Sequence, residues 1–376
     1  MGSDISNNLA LLDPQIGYIG RIPVCNLWLL MLYASDMFRE VGKTDVKFED
    51  DPEHIPELVA TILTNIVAKR LKRNLSSGYE RHNAILNRIR GKINILDTER
   101  HQLLSRGKIS CSFDNLSVNT VRNRYVKAAL QKLSRIIQDQ YLRNKCFYLA
   151  ENLKQLGVSG EKPAQNEVDL IRYSRNDIND KLMISAAKLA FNLALPTEER
   201  GKEFLFAPNR EEQWVRRLFE KAIGGFYNVT LSPQGWKILT GKQQNWLIDA
   251  KTERISELLP MMRTDITLEN EMQNIRIIID TKFTSIIKPG WFRNETFESK
   301  YLYQIYAYLR SQEGNGDPLS DHAIGMLLHP SIDETINEEV LIQGHMIRFV
   351  TVDLSQEAKS IREQLLQILH SDTLQA

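Results

Sequence analysis

The sequence is poor in the features that announce a function cheaply. It has three cysteines, Cys25, Cys111 and Cys146, far apart and with no CxxC pair. That excludes a disulfide framework and a cysteine-based zinc site, and leaves buried free thiols as the reading. No apolar run approaches the ~20 residues that span a bilayer; Val24 to Ala34 is too short and carries Asn26. The first residues, Met-Gly-Ser-Asp-Ile-Ser-Asn-Asn, lack a basic stretch followed by an apolar one, so a cytoplasmic protein without membrane attachment is expected. No GxxxxGK[ST] loop is present, and Gly224-Gly225 sits inside a helical pattern, so nucleotide binding through a P-loop is excluded. Net charge is nearly absent too: 48 Lys+Arg face 47 Asp+Glu, which leaves only charge distribution to speak of nucleic acid. Internal repeats and low-complexity tracts are also missing.

What remains is a globular composition over 376 residues, long enough for two domains. Residues 1–16 read as a polar tail. Apolar spacing predicts a helix over 22–39 with Asn26 as its N-cap, and a second over 55–74 with a basic C-terminal end. Short strands or hairpins are expected around 85–95 and 109–113, a long helix over 122–156, and another over 178–194. Thr197–Lys202 is polar and reads as a linker. Beyond it come a helix at 210–226, strands at 228–232, 236–239, 262–268 and 275–283, and a helix at 298–312. Strands at 322–329 and 346–353 and a helix at 356–370 close the chain. The expectation is an α+β N-terminal region of helices and short hairpins over 17–196, followed by an α/β domain over 197–376.

The segment most suggestive of chemistry is Met262-Arg-Thr-Asp265-Ile-Thr-Leu followed by Ile277-Ile-Ile-Asp280-Thr-Lys282-Phe. Alternation along a strand puts Asp280 and Lys282 on one face, and a hairpin turn over 269–274 brings Asp265 beside them. Two carboxylates and an ammonium suit metal-assisted phosphodiester hydrolysis. Magnesium prefers hard carboxylate oxygens and keeps several waters; a lysine orients or deprotonates the attacking water and adds positive charge near the phosphate. Gln304 and Tyr308, four apart on a helix, share a face and either contact DNA phosphate or brace the carboxylates. Tyr306 reads as packing. A basic stretch completes the list: residues 66–108 hold eleven Lys/Arg against Glu80, Asp97 and Glu99. DNA phosphate, an acidic protein partner or plain solvent would each suit it.

Asp265, Asp280-Thr-Lys282 and Gln304-x-x-x-Tyr308 together resemble the RecB-like branch of the PD-(D/E)xK nuclease superfamily. IPVCNLWLLMLYASD, Arg90-Gly-Lys-Ile-Asn, Asn119-Thr-Val-Arg-Asn-Arg, LLPMMRTDIT and IIIDTKF resemble, more narrowly, the McrC family of nuclease subunits in McrBC modification-dependent restriction systems, in consistent order from about residue 21 to 370. The resemblance implies a PD-(D/E)xK restriction-endonuclease-like fold for 197–376. It makes Asp265 and Asp280 the magnesium carboxylates and Lys282 the catalytic lysine. Glu220 becomes the upstream helical glutamate, with Glu212 as the fallback. Thr264 stands where the superfamily's proline would be. The resemblance also implies an McrB-like AAA+ GTPase hexamer as partner, stimulated through the 17–196 region, with Arg88, Arg90 and Lys92 in the segment that enters its ring. Double-stranded DNA carrying modified cytosine would be the substrate, and two nuclease domains would meet through the complex. A ring regulator with a merely structural nuclease-like domain, or a stand-alone RecB-like repair nuclease, are the alternatives.

Overall fold

The computed structural model describes residues 18–19, 22–41, 54–73, 75–173, 178–194, 208–288, 295–331 and 335–369. The expected tail at 1–16 and linker at 197–202 lie outside them. The chain forms two compact units, Met1–Ile55 with Pro196–Ala376, and Pro56–Leu195. The block expected at 17–196 is therefore not one piece: its first segment belongs to the same unit as the C-terminal half. Helix α1 (Val24–Tyr33) shows why. Leu27, Leu29, Leu30, Met31, Leu32 and Tyr33 are all buried, so the helix is apolar nearly all round and needs cover on several sides. Asn26 is not its N-cap, because the helix already begins after Pro23. The buried Asn26 amide instead donates to the carbonyls of Leu354 at 2.8 Å and Gln356 at 2.9 Å, tying α1 to the far end of the chain.

The unit Pro56–Leu195 mixes helices with a small sheet. Helix α2 (Ile55–Arg73) leads into β1 (Gly78–Leu86), β2 (Lys92–Ile93) and β3 (Ile109–Ser117), ordered β1-β3-β2. The long helix expected over 122–156 is two, α3 (Val121–Ile136) and α4 (Gln140–Gln155), packed on each other. The break has a local cause: Asp139 caps α4 by accepting from the Leu142 N–H at 2.7 Å, and such a cap competes with continuing the preceding helix. Helix α5 (Ile178–Leu193) packs against α3. Its Asp180, 1% exposed, is held by Arg70 and Arg122, which supply the partners a buried carboxylate requires.

In the other unit, α6 (Pro208–Leu231) absorbs the strand expected at 228–232; that apolar run is the helix's last turn. A mixed six-stranded sheet follows, built from β4 (Lys237–Thr240), β5 (Ile266–Asn270), β6 (Ile275–Thr281), then, after helix α7 (Ser299–Arg310), β7 (Ile324–Pro330), β8 (Asn337–Ile342) and β9 (His345–Val352). The spatial order is β8-β9-β7-β6-β5-β4, with β6, β7 and β9 parallel and the outer pairs antiparallel. Sequence reading missed β8, half of a hairpin whose Gln343-Gly344 turn has both φ values positive (48° and 86°). Helix α8 (Ala358–Gln367) ends the description. No helix among the described residues is long and apolar enough to cross a membrane.

Helices cover both sheet faces. Ile305, Tyr308 and Leu309 of α7 pack on Ile278, Leu327, Ile347 and Phe349. Gly325 permits this approach, since a Cβ there would lie 2.7 Å from Ile305. On the other face α6 lies over Thr240 and Ile266 at Gly224. At Gly225 it meets α1 so closely that a Cβ would stand 1.9 Å from the Tyr33 carbonyl oxygen. Gly225→Ala is therefore expected to destabilise the protein by about 1–3 kcal/mol through overpacking, although alanine favours an isolated helix by about 1 kcal/mol. Chemical denaturation of the full chain checks the sign.

Candidate active site

Three residues meet where β5 begins and β6 ends. Ile266 pairs with Ile279 in the antiparallel register, so Asp265 comes opposite Asp280 at the next step. Thr281 confirms the closeness: its backbone N–H and its hydroxyl both donate to Asp265 Oδ2, at 2.8 and 2.9 Å. Lys282 leaves the strand with its N–H still bonded to Leu328 O at 2.9 Å, and its ammonium turns back to Asp280 Oδ2 at 2.7 Å. The carboxyl ends of parallel strands are where open α/β sheets present binding groups, and β6 pairs in parallel with β7 here.

Asp280 is completely buried and Lys282 nearly so. Burial pushes the Asp280 carboxyl up to about 6; the Lys282 charge opposes the rise, and Asp265 adds to it. Among the described residues neither Asp280 oxygen receives a directed hydrogen bond: Oδ2 has only the ammonium ion pair, and Oδ1 has no partner. A buried carboxylate oxygen without a partner is costly unless something cationic meets it. Among the described residues no group of three or more His, Cys, Asp or Glu side chains is arranged to hold a metal. Magnesium does not require one; one or two carboxylates with water and substrate phosphate suffice. Asp265 and the orphaned Asp280 Oδ1 fit that donor set.

The remaining candidates divide clearly. Glu220 projects from α6, half-buried, and its carboxyl is raised first by burial and then by the Asp265 charge, with Arg263, Lys221 and Arg216 opposing. It belongs to the cluster. The Glu212 side chain lies outside the described residues. Gln304 donates to the Tyr308 hydroxyl at 2.7 Å, and that hydroxyl donates to the Arg263 carbonyl at 2.9 Å. These two residues therefore brace the backbone two residues before Asp265. Tyr306, read as packing, borders the α7 core and its hydroxyl meets Gln343. Arg88, Arg90 and Lys92 are all exposed, on or beside the connection between β1 and β2. Arg90 is not idle there: its guanidinium lies over the Phe113 ring at 4.1 Å and donates to Asn115 Oδ1 at 3.2 Å.

Sequence reading missed two residues against the lysine. The Tyr301 ring lies 5.0 Å from Lys282 Nζ, and His329 packs on Tyr301 with ring centroids 5.9 Å apart. Burial lowers the His329 imidazole to about 4, so it is neutral at physiological pH beside the ammonium. The signal for Tyr301 was present, since 301, 305 and 308 repeat at helical spacing. His329 needed the β6–β7 register.

The family match and the curated relative point to one system. The family described as McrBC 5-methylcytosine restriction system component matches residues 24–330. A curated relative, the type IV methyl-directed restriction enzyme EcoKMcrBC of Escherichia coli K12, is 26% identical over 354 residues, covering 92% of this chain and 97% of its own. Among solved structures, one is a half-complex of Thermococcus gammatolerans McrB AAA+ hexamers with bound McrC. It aligns at 14% identity and a TM-score of 0.41, over 92% of this chain and 76% of that one. The cryo-EM structure of the T. gammatolerans McrBC complex aligns at 14% identity and 0.32, over 51% and 61%. With most of its length inside the family match, the chain belongs to the McrBC family of 5-methylcytosine restriction system components.

Proposed function

We propose that the chain is the magnesium-dependent DNA endonuclease subunit of a GTP-driven restriction complex that acts on DNA carrying modified cytosine. Its C-terminal half would be a PD-(D/E)xK nuclease domain. The observation that carries the reading is the meeting of Asp265, Asp280 and Lys282 at one strand end, with Asp280 Oδ1 buried and unpartnered. Asp265 and Asp280 would hold the magnesium ion, which when bound supplies Lewis-acid polarisation of the phosphate and a more acidic bound water. Lys282, pinned between Asp280 and the Tyr301 ring, holds its positive charge where a phosphate would gather negative charge. Glu220, whose carboxyl is raised first by burial and then by the Asp265 charge, would accept or relay a proton from water. Gln304 and Tyr308 serve by position, fixing the main chain that carries Asp265.

The chain has no P-loop, so nucleotide hydrolysis must reside in another subunit. Family membership points to an McrB-like AAA+ GTPase hexamer. The docking element would be the small sheet of the Pro56–Leu195 unit, whose exposed surface combines Arg88, Arg90 and Lys92 with exposed apolar side chains at Tyr79, Ile85, Ile89 and Leu116. A basic surface with apolar anchors suits a protein interface better than a plain phosphate track.

Three outcomes test this reading. Asp280→Asn and Lys282→Ala are expected to reduce DNA cleavage by at least about a hundredfold, the scale of a lost electrostatic catalytic group. Both should leave partner GTP hydrolysis stimulated, and calcium should support DNA binding without cutting; plasmid cleavage and phosphate release assays read the two activities separately. Cleavage at the normal rate in either variant sinks the site. Charge reversal at Arg88, Arg90 and Lys92 together should reduce GTPase stimulation while changing folding stability by only about 0.5 kcal/mol per exposed site. Full stimulation by that variant would move the docking surface elsewhere. Finally, the purified chain alone should cut DNA poorly even with magnesium, because a net charge of +1 gives little long-range attraction to a polyanion. Efficient double-strand cutting without partner and nucleotide would favour a stand-alone nuclease.

A further inference from the structure

Arg263 occupies a position that the carboxylate–lysine cluster does not explain. Along Arg263-Thr264-Asp265 the side chains alternate: Thr264 is fully buried, with its hydroxyl 3.0 Å from that of Thr267, while Arg263 is exposed and Asp265 half-buried. Arg263 ends the short strand Met262–Arg263, and Asp265 stands just before Ile266–Asn270, so only Thr264 separates the arginine from the aspartate.

Both ends of the arginine have a defined neighbour. Its carbonyl accepts the Tyr308 hydroxyl at 2.9 Å. Its guanidinium lies against Gly241, where an added Cβ would stand 2.5 Å from Nη2 and 2.8 Å from Nε. Gly241 has a φ of +63° and donates its N–H to the Asp265 carbonyl at 2.8 Å. One glycine thus seats the guanidinium and anchors the backbone of the neighbouring aspartate. A side chain at that position would displace the arginine.

The guanidinium is charged at any physiological pH and is close enough to Glu220 to act on its ionisation. An arginine beside three carboxylates would ordinarily close onto one of them as a bidentate pair. Here, among the described residues, no carboxylate lies within ion-pair distance of it, and no hydrogen bond to its guanidinium is formed. The guanidinium lies against Gly241, in an exposed side chain close to the acidic cluster. An unengaged fork next to a hydrolytic site is arranged to receive an anion, and the anion that a DNA nuclease receives is a backbone phosphate.

We infer that Arg263 is a substrate-binding residue that grips a phosphate of the DNA strand being cut, and that Gly241 is the seat that presents it. The inference rests on the nuclease reading of the Asp265–Asp280–Lys282 site. It makes Arg263 a positioning contact for the scissile strand, distinct from the carboxylates that hold metal.

The test uses the full chain assembled with its McrB-like partner and nucleotide. Binding to modified duplex DNA is measured in calcium across a range of salt concentrations, and single-turnover cleavage in magnesium. Arg263→Ala is expected to weaken DNA binding about tenfold, the scale of one charge-assisted hydrogen bond, and to lower the slope of log affinity against log salt by about one. Arg263→Lys keeps the charge and should restore the slope but only part of the affinity. Gly241→Ala removes no charge, yet should reproduce the Arg263→Ala loss, and the double variant should lose no more than either alone. Thermal unfolding of each variant verifies that it is folded. Unchanged affinity and slope in folded Arg263→Ala overturn the proposal. So does a slower cleavage step with an unchanged salt slope and a displaced pH–rate profile, which would make the arginine a modulator of Glu220. Asp280→Asn separates the two levels: normal cleavage by that variant defeats the nuclease reading itself, while the salt slope of Arg263→Ala judges the phosphate contact.

Discussion

The C-terminal half of the chain is organised around a carboxylate placed where water cannot reach it. Asp280 is fully buried near the end of its strand, after Ile277, Ile278 and Ile279, and its carboxyl is raised to about 6, first by burial and then by the Asp265 charge, against the opposing pull of Lys282. An isolated charge in such a place would be untenable. The Lys282 ammonium at 2.7 Å, on the same face two residues along, offsets part of the cost. After Thr281 the strand ends, while the Lys282 N–H keeps its bond to Leu328. Among the described residues the pair leaves Oδ1 unanswered, and this residual deficit is what the proposed divalent cation would meet. A fully satisfied salt bridge there would make a stable strand end with nothing left to bind.

Everything around the strand serves to hold that imbalance in place. The β5–β6 register sets Asp265 opposite Asp280, and two bonds from Thr281 fix its carboxylate. Helix α7 descends on Gly325 and presents Tyr301 to the lysine and, two turns later along the same face, Tyr308 to the Arg263 carbonyl. On the opposite face α6 brings Glu220. Its own position depends on Gly225, the residue that lets the first helix of the chain touch it backbone to side. The Gly224-Gly225 pair, read as part of a helix, is where that helix meets its neighbours. The distant α1 segment is held to the same unit by the buried Asn26 amide. Rigid elements on both sides are what keep catalytic groups within usable geometry.

How much of this was legible follows from the range of each interaction. Ile277-Ile278-Ile279 before Asp280, with a second aspartate on a preceding strand, exposed the acidic cluster directly, because alternation and hairpin pairing are local rules. The α2 and α5 helices were legible from spacing for the same reason. Failures came where a local pattern had two physical solutions. The run over 228–231 suits strand or helix, and the helix won because it continues a buried face. The apolar spacing across Ile136 and Ile137 suggested one helix, while Asp139, three residues before Leu142, had the makings of a cap that went unread. Strand β8 alternates weakly, with charged and apolar residues exposed, and its Gln-Gly turn lacks the usual Asn or Asp. Asn26 and His329 act across hundreds of residues or across a strand register, and no window of sequence contains their partners.

The two units differ in the chemistry they expose, and that difference bears on how a restriction component could be kept harmless. The Pro56–Leu195 unit carries its charge outward, in arginines and lysines that are exposed or laid on an aromatic ring, as Arg90 is on Phe113. The nuclease-like site carries its charge inward, in carboxylates that are buried and short of partners. An inward acidic site repels a polyanion until cations fill it, and a chain of nearly zero net charge supplies little attraction to overcome this. If the cluster is the nuclease centre proposed above, capture of DNA would fall to the partner. Tethering to a ring that holds DNA would raise the local concentration of the strand at the site without changing any contact within it. Control by assembly would then require no inhibitory device in the active site, and specificity could rest with the partner.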